Sequence, residues 1–295
     1  MGRIEVDGQT IKTSKEDKVF FPGAGYAKKD LIEYYRRIAE MMLPHVANRP
    51  IVMHRFPDGI EGKSFFNKNA PRYFPGWIAT QRVDKENGTV NHVVIGKTAD
   101  LAYLANQACI AIHIWLSRRD KIEKPDRLIF DLDPPNGGFD DVRAGAKRLR
   151  EILEAAGLKA YAMATGSKGM HVVCPIKRGK TFDQVRAFAQ QVAGVLATQD
   201  EKKFTTEQRI AKRGDRVFID TNRNAYGQTA VAPYSVRARP GAPVAVPLEW
   251  SEVDRSDLRP DGYNISNVLQ RLGRQGDPWK DIDNHAESLP TGDGP

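Results

Sequence analysis

At 295 residues the chain is long enough for one large domain or two small ones with a substantial core. Hydrophobic residues make up 40% and charged residues 28%, an ordinary globular composition, and only two cysteines are present, which excludes a disulfide framework. Lys and Arg number 45 against 37 Asp and Glu, and the net charge of +8 favours a polyanionic partner, most simply nucleic acid.

The opening MGRIEVDGQTIK lacks the apolar core of a signal peptide, so the expected location is the cytoplasm. The alternating stretch VDGQTIKTSKEDKVFFP predicts a short strand and a turn. Residues 27–46 predict a helix, because Leu31, Tyr34, Tyr35, Ile38, Met41 and Met42 recur at helical spacing. IVMHRF reads as a strand closed by a turn at Pro57-Asp58-Gly59, and VNHVVIG as another. Leu101 to Leu116 is the longest apolar run. Asn106, Gln107 and His113 interrupt it, so it reads as a buried helix and not a membrane span.

The second half predicts a strand at RLIFDLDPP and a helix over 140–158. Two strands around a Gly-rich turn follow in AYAMATGSKGMHVVCPI, then a helix capped by Thr181 and a strand at RVFIDTN. That order suggests an α+β sandwich with helices on one sheet face. After Gly273 the composition turns to Gly, Pro and Asp, and the tail is expected to be extended or mobile. Cys109 and Cys174 sit in apolar surroundings and read as buried thiols.

Chemistry concentrates in four places. In a strand, residues two apart share a face, so Asp131 and Asp133 point together while Leu132 points away. Two adjacent carboxylates repel unless a cation lies between them, which suits Mg²⁺ or Mn²⁺; solvated acids at a strand end are the plainer reading. RVFID places Asp220 after a second apolar run. If the two strands are neighbours, three carboxylates converge, as in two-metal nucleotidyl-transfer sites. ATGSKGMHVV sets Ser167 and Lys168 between Gly166 and Gly169, a turn that suits a triphosphate or is an ordinary hairpin turn; it lacks Walker A spacing. His171 follows, as a phosphate contact or a core histidine. In KNAPRYFPGW, Lys68 and Arg72 alternate with Tyr73, Phe74 and Trp77, with Phe65 and Phe66 upstream. Such interleaving suits a nucleic-acid strand, or equally a core with solvated cations.

Taken together, DLDPP, GSKGMH and FIDTNRNAYGQTAVAPYSVRARPGAPVAVPLEW, in that order, resemble the polymerase domain of bacterial non-homologous end-joining DNA ligases, within the archaeo-eukaryotic primase superfamily. KKDLIEYYRRIAEMMLPHVANRPIVMHRFPDGIEGKSFFNKNAP is similar to that family's opening segment. The resemblance implies an α+β primase-type catalytic core, an RRM-like sheet with a second sheet-and-helix layer. It implies a domain over 1–272, with DNA-end and 5′-phosphate contacts in 1–120 and the catalytic core in 121–250, ahead of a tail over 273–295. Asp131, Asp133 and Asp220 would bind two divalent ions, Mn²⁺ or Mg²⁺. His113, Ser167, Lys168, His171, Arg223, Gln228 and Arg237 would hold the incoming nucleotide. Lys18 and Lys28 would grip a 5′-phosphate, Phe65 and Phe66 would stack on the template, and Lys68 would contact DNA.

The implied reaction is template-dependent addition of one or a few nucleotides, preferably ribonucleotides, at breaks or gaps. Family members are often fused to ligase and phosphoesterase modules that this sequence lacks, so Ku and a DNA ligase acting in trans are the expected partners, on nucleoid DNA. Two alternatives compete. A D-x-D hydrolase or glycosyltransferase is one, although Pro135 stands where the phosphatase pattern D-x-D-x-T wants Thr. A non-catalytic DNA-end-binding module is the other.

Overall fold

The computed structural model describes residues 2–85, 87–135 and 138–290. The first elements are β1 (Gly2–Val6), β2 (Gln9–Thr13), β3 (Val19–Phe21), β4 (Tyr26–Ala27), α1 (Lys28–Val46), β5 (Pro50–Arg55), β6 (Phe65–Asn67), β7 (Thr80–Lys85), β8 (Gly88–Val94), α2 (Thr98–Asn106) and β9 (Cys109–Trp115). There follow β10 (Arg127–Asp133), α3 (Phe139–Ala155), β11 (Tyr161–Ala164), β12 (Met170–Pro175), α4 (Phe182–Gln199), β13 (Phe204–Thr205) and β14 (Val217–Asp220). The last are β15 (Thr229–Val231), β16 (Val246–Leu248), α5 (Trp250–Val253) and α6 (Val268–Gln275).

The chain forms two compact units. The first takes the chain to Trp115, then Thr229–Ala245 and Tyr263–Gly276; the second takes Leu116–Gln228, Val246–Gly262 and the chain from Asp277. The resemblance implies one domain over 1–272, with DNA-end contacts in 1–120 and the catalytic core in 121–250. The structure returns 229–245 to the first unit because β15 pairs antiparallel with β9, Ala230 opposite Ile114.

The sheet of the first unit runs β15-β9-β5-β8-β7, with β6 also on β5. Helices α1 and α2 pack on each other, and α2 packs on β9. The α1 stripe is the expected one: Leu31, Tyr34, Tyr35, Ile38 and Met42 are buried, whereas Met41 is only half-buried. Asp30 accepts a 2.7 Å hydrogen bond from the Ala27 amide and closes the first turn.

The expected single helix over 101–116 is instead α2 followed by β9. The break falls at Asn106-Gln107-Ala108, where Ala108 takes a left-handed φ of 61°. Beyond it, CIAIHIW has an isoleucine at every second position, a packing pattern that favours a buried strand over a helix. An apolar run buried on all sides carries no periodicity that separates the two.

The sheet of the second unit runs β13-β14-β10-β12-β11-β16. Helices α3 and α4 pack side by side, α3 against β10, β12 and β14 and α4 against β10 and β13. Thr181 caps α4 reciprocally: its Oγ1 accepts from the Gln184 amide at 3.3 Å, and its own amide donates to Gln184 Oε1 at 2.9 Å. Both cysteines are buried free thiols. Among the described residues no helix is long and apolar enough to cross a membrane.

The tail expectation is corrected over 273–290. Gly273 to Gln275 complete α6, and beyond it Trp279 (3% exposed), Ile282 (3%) and Leu289 (5%) are buried. Trp279 Nε1 donates to the Ala162 carbonyl at 3.2 Å, and Glu287 bridges in parallel to Ile176. Gly-, Pro- and Asp-rich composition reports backbone freedom, not the anchors that remove it. Residues 291–295 lie outside the described residues. Replacing Trp279 with Ala is expected to lower unfolding free energy by about 3 kcal/mol in urea titration. A change within about 0.5 kcal/mol, the range of surface substitutions, would mean that the segment is not docked.

Candidate active site

Strand β10 lies inside its sheet, with β14 on one side and β12 on the other. On β14, Asp220 is directly opposite Asp131; on β12, His171 is directly opposite Asp131. Residues opposite one another across a sheet share a face. Asp131, Asp133, Asp220 and His171 therefore stand on one face, while Leu128, Phe130 and Leu132, all fully buried, alternate onto the other. The condition on which the three carboxylates would converge, that the two aspartate-bearing strands are neighbours, is thus met. Asn224, also fully buried, braces the strand by accepting from the Ile129 amide at 2.9 Å and donating to its carbonyl at 2.7 Å.

Within this group Asp131 carries most of the contacts. His171 Nε2 lies 3.4 Å from one of its oxygens, and Arg223 Nε donates to the other at 3.3 Å. Burial pushes the Asp131 carboxyl up, but His171 and Arg223 outweigh it and hold the group below its ordinary value. Asp133 goes the other way, raised by burial and then by the charge of Asp131. Asp220 accepts a 2.8 Å bond from the Asn222 amide. Arg223 is held charged: burial opposes this, and Asp131 and Asp220 outweigh burial.

Three acids with one arginine leave a surplus of negative charge on a partly buried face. Like charges opposite each other weaken a sheet unless a cation joins them. The donor set is all carboxylate oxygen, the ligand type that Mg²⁺ and Mn²⁺ take. Among the described residues no three His, Cys, Asp or Glu groups are gathered as a finished metal cluster, because Asp131 is turned to His171 and Arg223. The residues fit such ions; an ion would compete with that ion pair.

Beside the acids lies the GSKG turn. Gly166 has φ +66°, a conformation that side chains resist. At Gly169 an added Cβ would sit 2.0 Å from the Leu132 carbonyl oxygen, so only glycine lets the turn lie against β10. Thr165 pins it by donating from its amide and hydroxyl to the Gly169 carbonyl at 3.1 and 3.0 Å. Ser167 is half-buried and Lys168 exposed, free to meet an anion. His171 Nδ1 is buried with no hydrogen-bond partner, a polar atom that burial penalises unless a ligand meets it. Gln228 is exposed at the end of the segment that Arg223 opens.

His113 and Arg237 belong to the other unit, as do the expected DNA contacts. There Phe66 stacks on His54 with centroids 4.0 Å apart and planes at 18°, and His113 meets the Phe66 ring edge-on at 5.7 Å. Burial, then the charge of Arg237, lowers the His54 pKa. Phe65 is 46% and Phe66 58% exposed, and Lys68 is exposed. Sequence reading missed His54, although its place two residues after Val52 on a strand beside FFN was the available signal.

Lys18 and Lys28 line a cavity of about 220 Å³ with Ser14, Lys15, Arg55 and Asn106. Four cations and no acid line it. Lys28 Nζ donates to the Ser14 carbonyl at 2.6 Å, and Lys18 pairs outside with Asp58. Arg55 is fixed by the Gln107 carbonyl at 2.8 Å and Asn67 Oδ1 at 3.2 Å. Burial first, with Lys15, Lys18 and Arg55 adding to it, pulls Lys28 down to about 8. Lys15, Arg55 and Asn106 were not foreseen; they come from distant segments that only the fold joins.

Gly169→Ala is expected to lower kcat/KM for nucleotide at least tenfold by forcing the turn off β10, with the fold retained by circular dichroism. Unchanged kcat/KM would show that the turn's approach to the acids is not needed.

The chain matches the family model described as LigD, primase-polymerase domain, over residues 27–279. It is 32% identical over 284 residues to the multifunctional non-homologous end joining DNA repair protein LigD of Mycobacterium tuberculosis, covering 93% of this chain and 37% of that protein. It is 30% identical over 276 residues to the bifunctional non-homologous end joining protein LigD of Bacillus subtilis, covering 93% of this chain and 44% of that one. The chain thus spans less than half the length of these relatives. Among solved structures, the polymerase domain from Mycobacterium tuberculosis ligase D in complex with DNA superposes with a TM-score of 0.89 at 31% identity, over 94% of this chain and 99% of that one.

Proposed function

We propose a function from one premise: the chain belongs to the LigD primase-polymerase domain family, whose chemistry is DNA-directed nucleotidyl transfer with divalent metal. On that premise the chain extends a primer strand at a DNA break or gap, adding one or a few nucleotides, with ribonucleotides preferred, in non-homologous end joining. The single observation that carries this reading is the pairing of Asp131 with Asp220 across β10 and β14, with Asp133 on the same face. A D-x-D hydrolase or glycosyltransferase calls for neither the GSKG turn nor a cavity lined by four cations.

The residues divide the work. Asp131, Asp133 and Asp220 would hold two divalent ions, which when bound supply charge neutralisation for the leaving pyrophosphate and acidify the attacking primer 3′-hydroxyl. Ser167, Lys168 and the orphaned His171 Nδ1 present donors to the triphosphate, joined by Arg223 and Gln228. His113 would contact the nucleotide, and Arg237 would help complete its triphosphate and sugar site. Phe66, stiffened by His54, and Phe65 would stack on template bases, with Lys68 on the backbone. The cavity at Lys18 and Lys28 would take the 5′-phosphate on the far side of the gap, its cations replacing the anion's water. Ku and a DNA ligase would complete joining, on nucleoid DNA in the cytoplasm.

Extension of a gapped, 5′-phosphorylated duplex tests the first claim. Asp131→Ala and Asp220→Ala are each expected to lower the rate at least a hundredfold, and an unimpaired variant would remove the acids from the mechanism.

The cavity makes a pH prediction with a fixed sign. A phosphate monoester is mostly a dianion above pH 7, so further rise in pH changes only the cations. Lys28 loses its proton near pH 8, and its attraction for the anion goes with it. Preference for 5′-phosphate over 5′-hydroxyl ends should fall between about pH 7 and 9, and Lys28→Arg should keep it level. Equal pH dependence in both proteins would place the phosphate elsewhere.

A further inference from the structure

The segment from Gly62 to Val83 carries Lys63, Lys68, Arg72 and Arg82 and no Asp or Glu. Three of the chain's exposed large hydrophobic residues, Phe65, Phe66 and Tyr73, lie in nine consecutive residues of it. The proposed reading uses Phe65, Phe66 and Lys68 and leaves Tyr73 and Arg72 without a task. Tyr73 is 61% exposed, more than either phenylalanine.

Its ring is nonetheless held. It meets Phe74 edge-on at 5.3 Å, Phe74 meets Tyr103 of α2 at 5.0 Å, and Tyr103 meets Trp77 at 5.5 Å. Lys97 closes the cluster over the Trp77 ring at 5.0 Å. The backbone is fixed as well: Phe74 and Ile78 amides donate to the Pro71 and Pro75 carbonyls at 3.0 Å each. The Ala70 amide donates to the Asn91 carbonyl of β8 at 2.7 Å. A tyrosine stiffened from behind, open in front and flanked by the exposed cation Arg72 has the makings of a base-stacking platform.

We propose that Tyr73, with Arg72, is a second stacking platform for unpaired DNA, separate from the Phe65–Phe66 step, and that it engages substrates with a long single-stranded stretch. The partner is a nucleic-acid strand and not a protein, because the segment is uniformly cationic and the aromatic residues stand between cations. The inference rests on the reading of the chain as a DNA-end polymerase.

The test measures binding by fluorescence anisotropy to two 5′-phosphorylated substrates, one with a gap of about two nucleotides and one with about twelve unpaired template nucleotides, a stretch within the usual span of stacking grooves. The parent should bind the longer stretch more tightly. Tyr73→Ala should weaken the long substrate about tenfold and leave the short one within about twofold, and Tyr73→Trp should restore binding. Arg72→Ala should reduce the salt dependence of long-substrate binding by about one phosphate contact, which Tyr73→Ala should not do. Tyr73→Ala equal to the parent on the long substrate, or equally weakened on both, would overturn the platform. A parent that binds neither substrate would instead defeat the proposed function.

Discussion

The antiparallel pairing of β10 with β14 brings Asp131 and Asp220 face to face, two carboxylates that sequence keeps 89 positions apart. A sheet gains nothing from like charges directly opposite, so the arrangement persists because something else is satisfied by it. In the fold itself, His171 and Arg223 perform that service for Asp131, and the Asn222 amide does so for Asp220. Much of the second unit serves this one placement. Leu128, Phe130 and Leu132 bury the reverse face of the strand, Asn224 locks its backbone, and Gly169 lets the GSKG turn approach it.

The raised carboxyl of Asp133 and the lowered one of Asp131 express the same constraint. Among the described residues one guanidinium, that of Arg223, and the His171 imidazole face the three acids, and burial raises the cost of the acids' charge. A divalent ion would lower that cost, which is the electrostatic support for the metal site proposed at these acids. The basic cavity around Lys28 is the opposite case: four cations line it, and of these Lys18 is paired with Asp58 outside.

Much of this was legible in the sequence, for identifiable reasons. Strand alternation alone assigns Asp131 and Asp133 to one face and Leu132 to the other, and the paired glycines around Ser167 and Lys168 mark a turn, although an ordinary hairpin turn fits them as well. The α4 cap was readable at Thr181 because a capping box is a local pattern. What failed was non-local or degenerate. The run from Leu101 to Leu116 is apolar throughout most of its length, and the helix-to-strand change at Ala108 depends on β5 and β15 lying beside β9. Trp279 looked like part of a loose tail because its pocket is made by β11, well over a hundred residues earlier. Lys15, Arg55 and Asn106 meet in one cavity only after three segments have folded, and no spacing in the chain foretells it.

Manganese binding to the protein without nucleotide or DNA, followed by the loss of the free-ion electron paramagnetic resonance signal, tests the central claim most directly. The account predicts binding by the parent chain, and binding at least tenfold weaker after Asp220→Asn, which removes one charge and keeps the shape. Equal affinity in the two proteins would contradict it, since the acid across from Asp131 would then take no part in holding the ion.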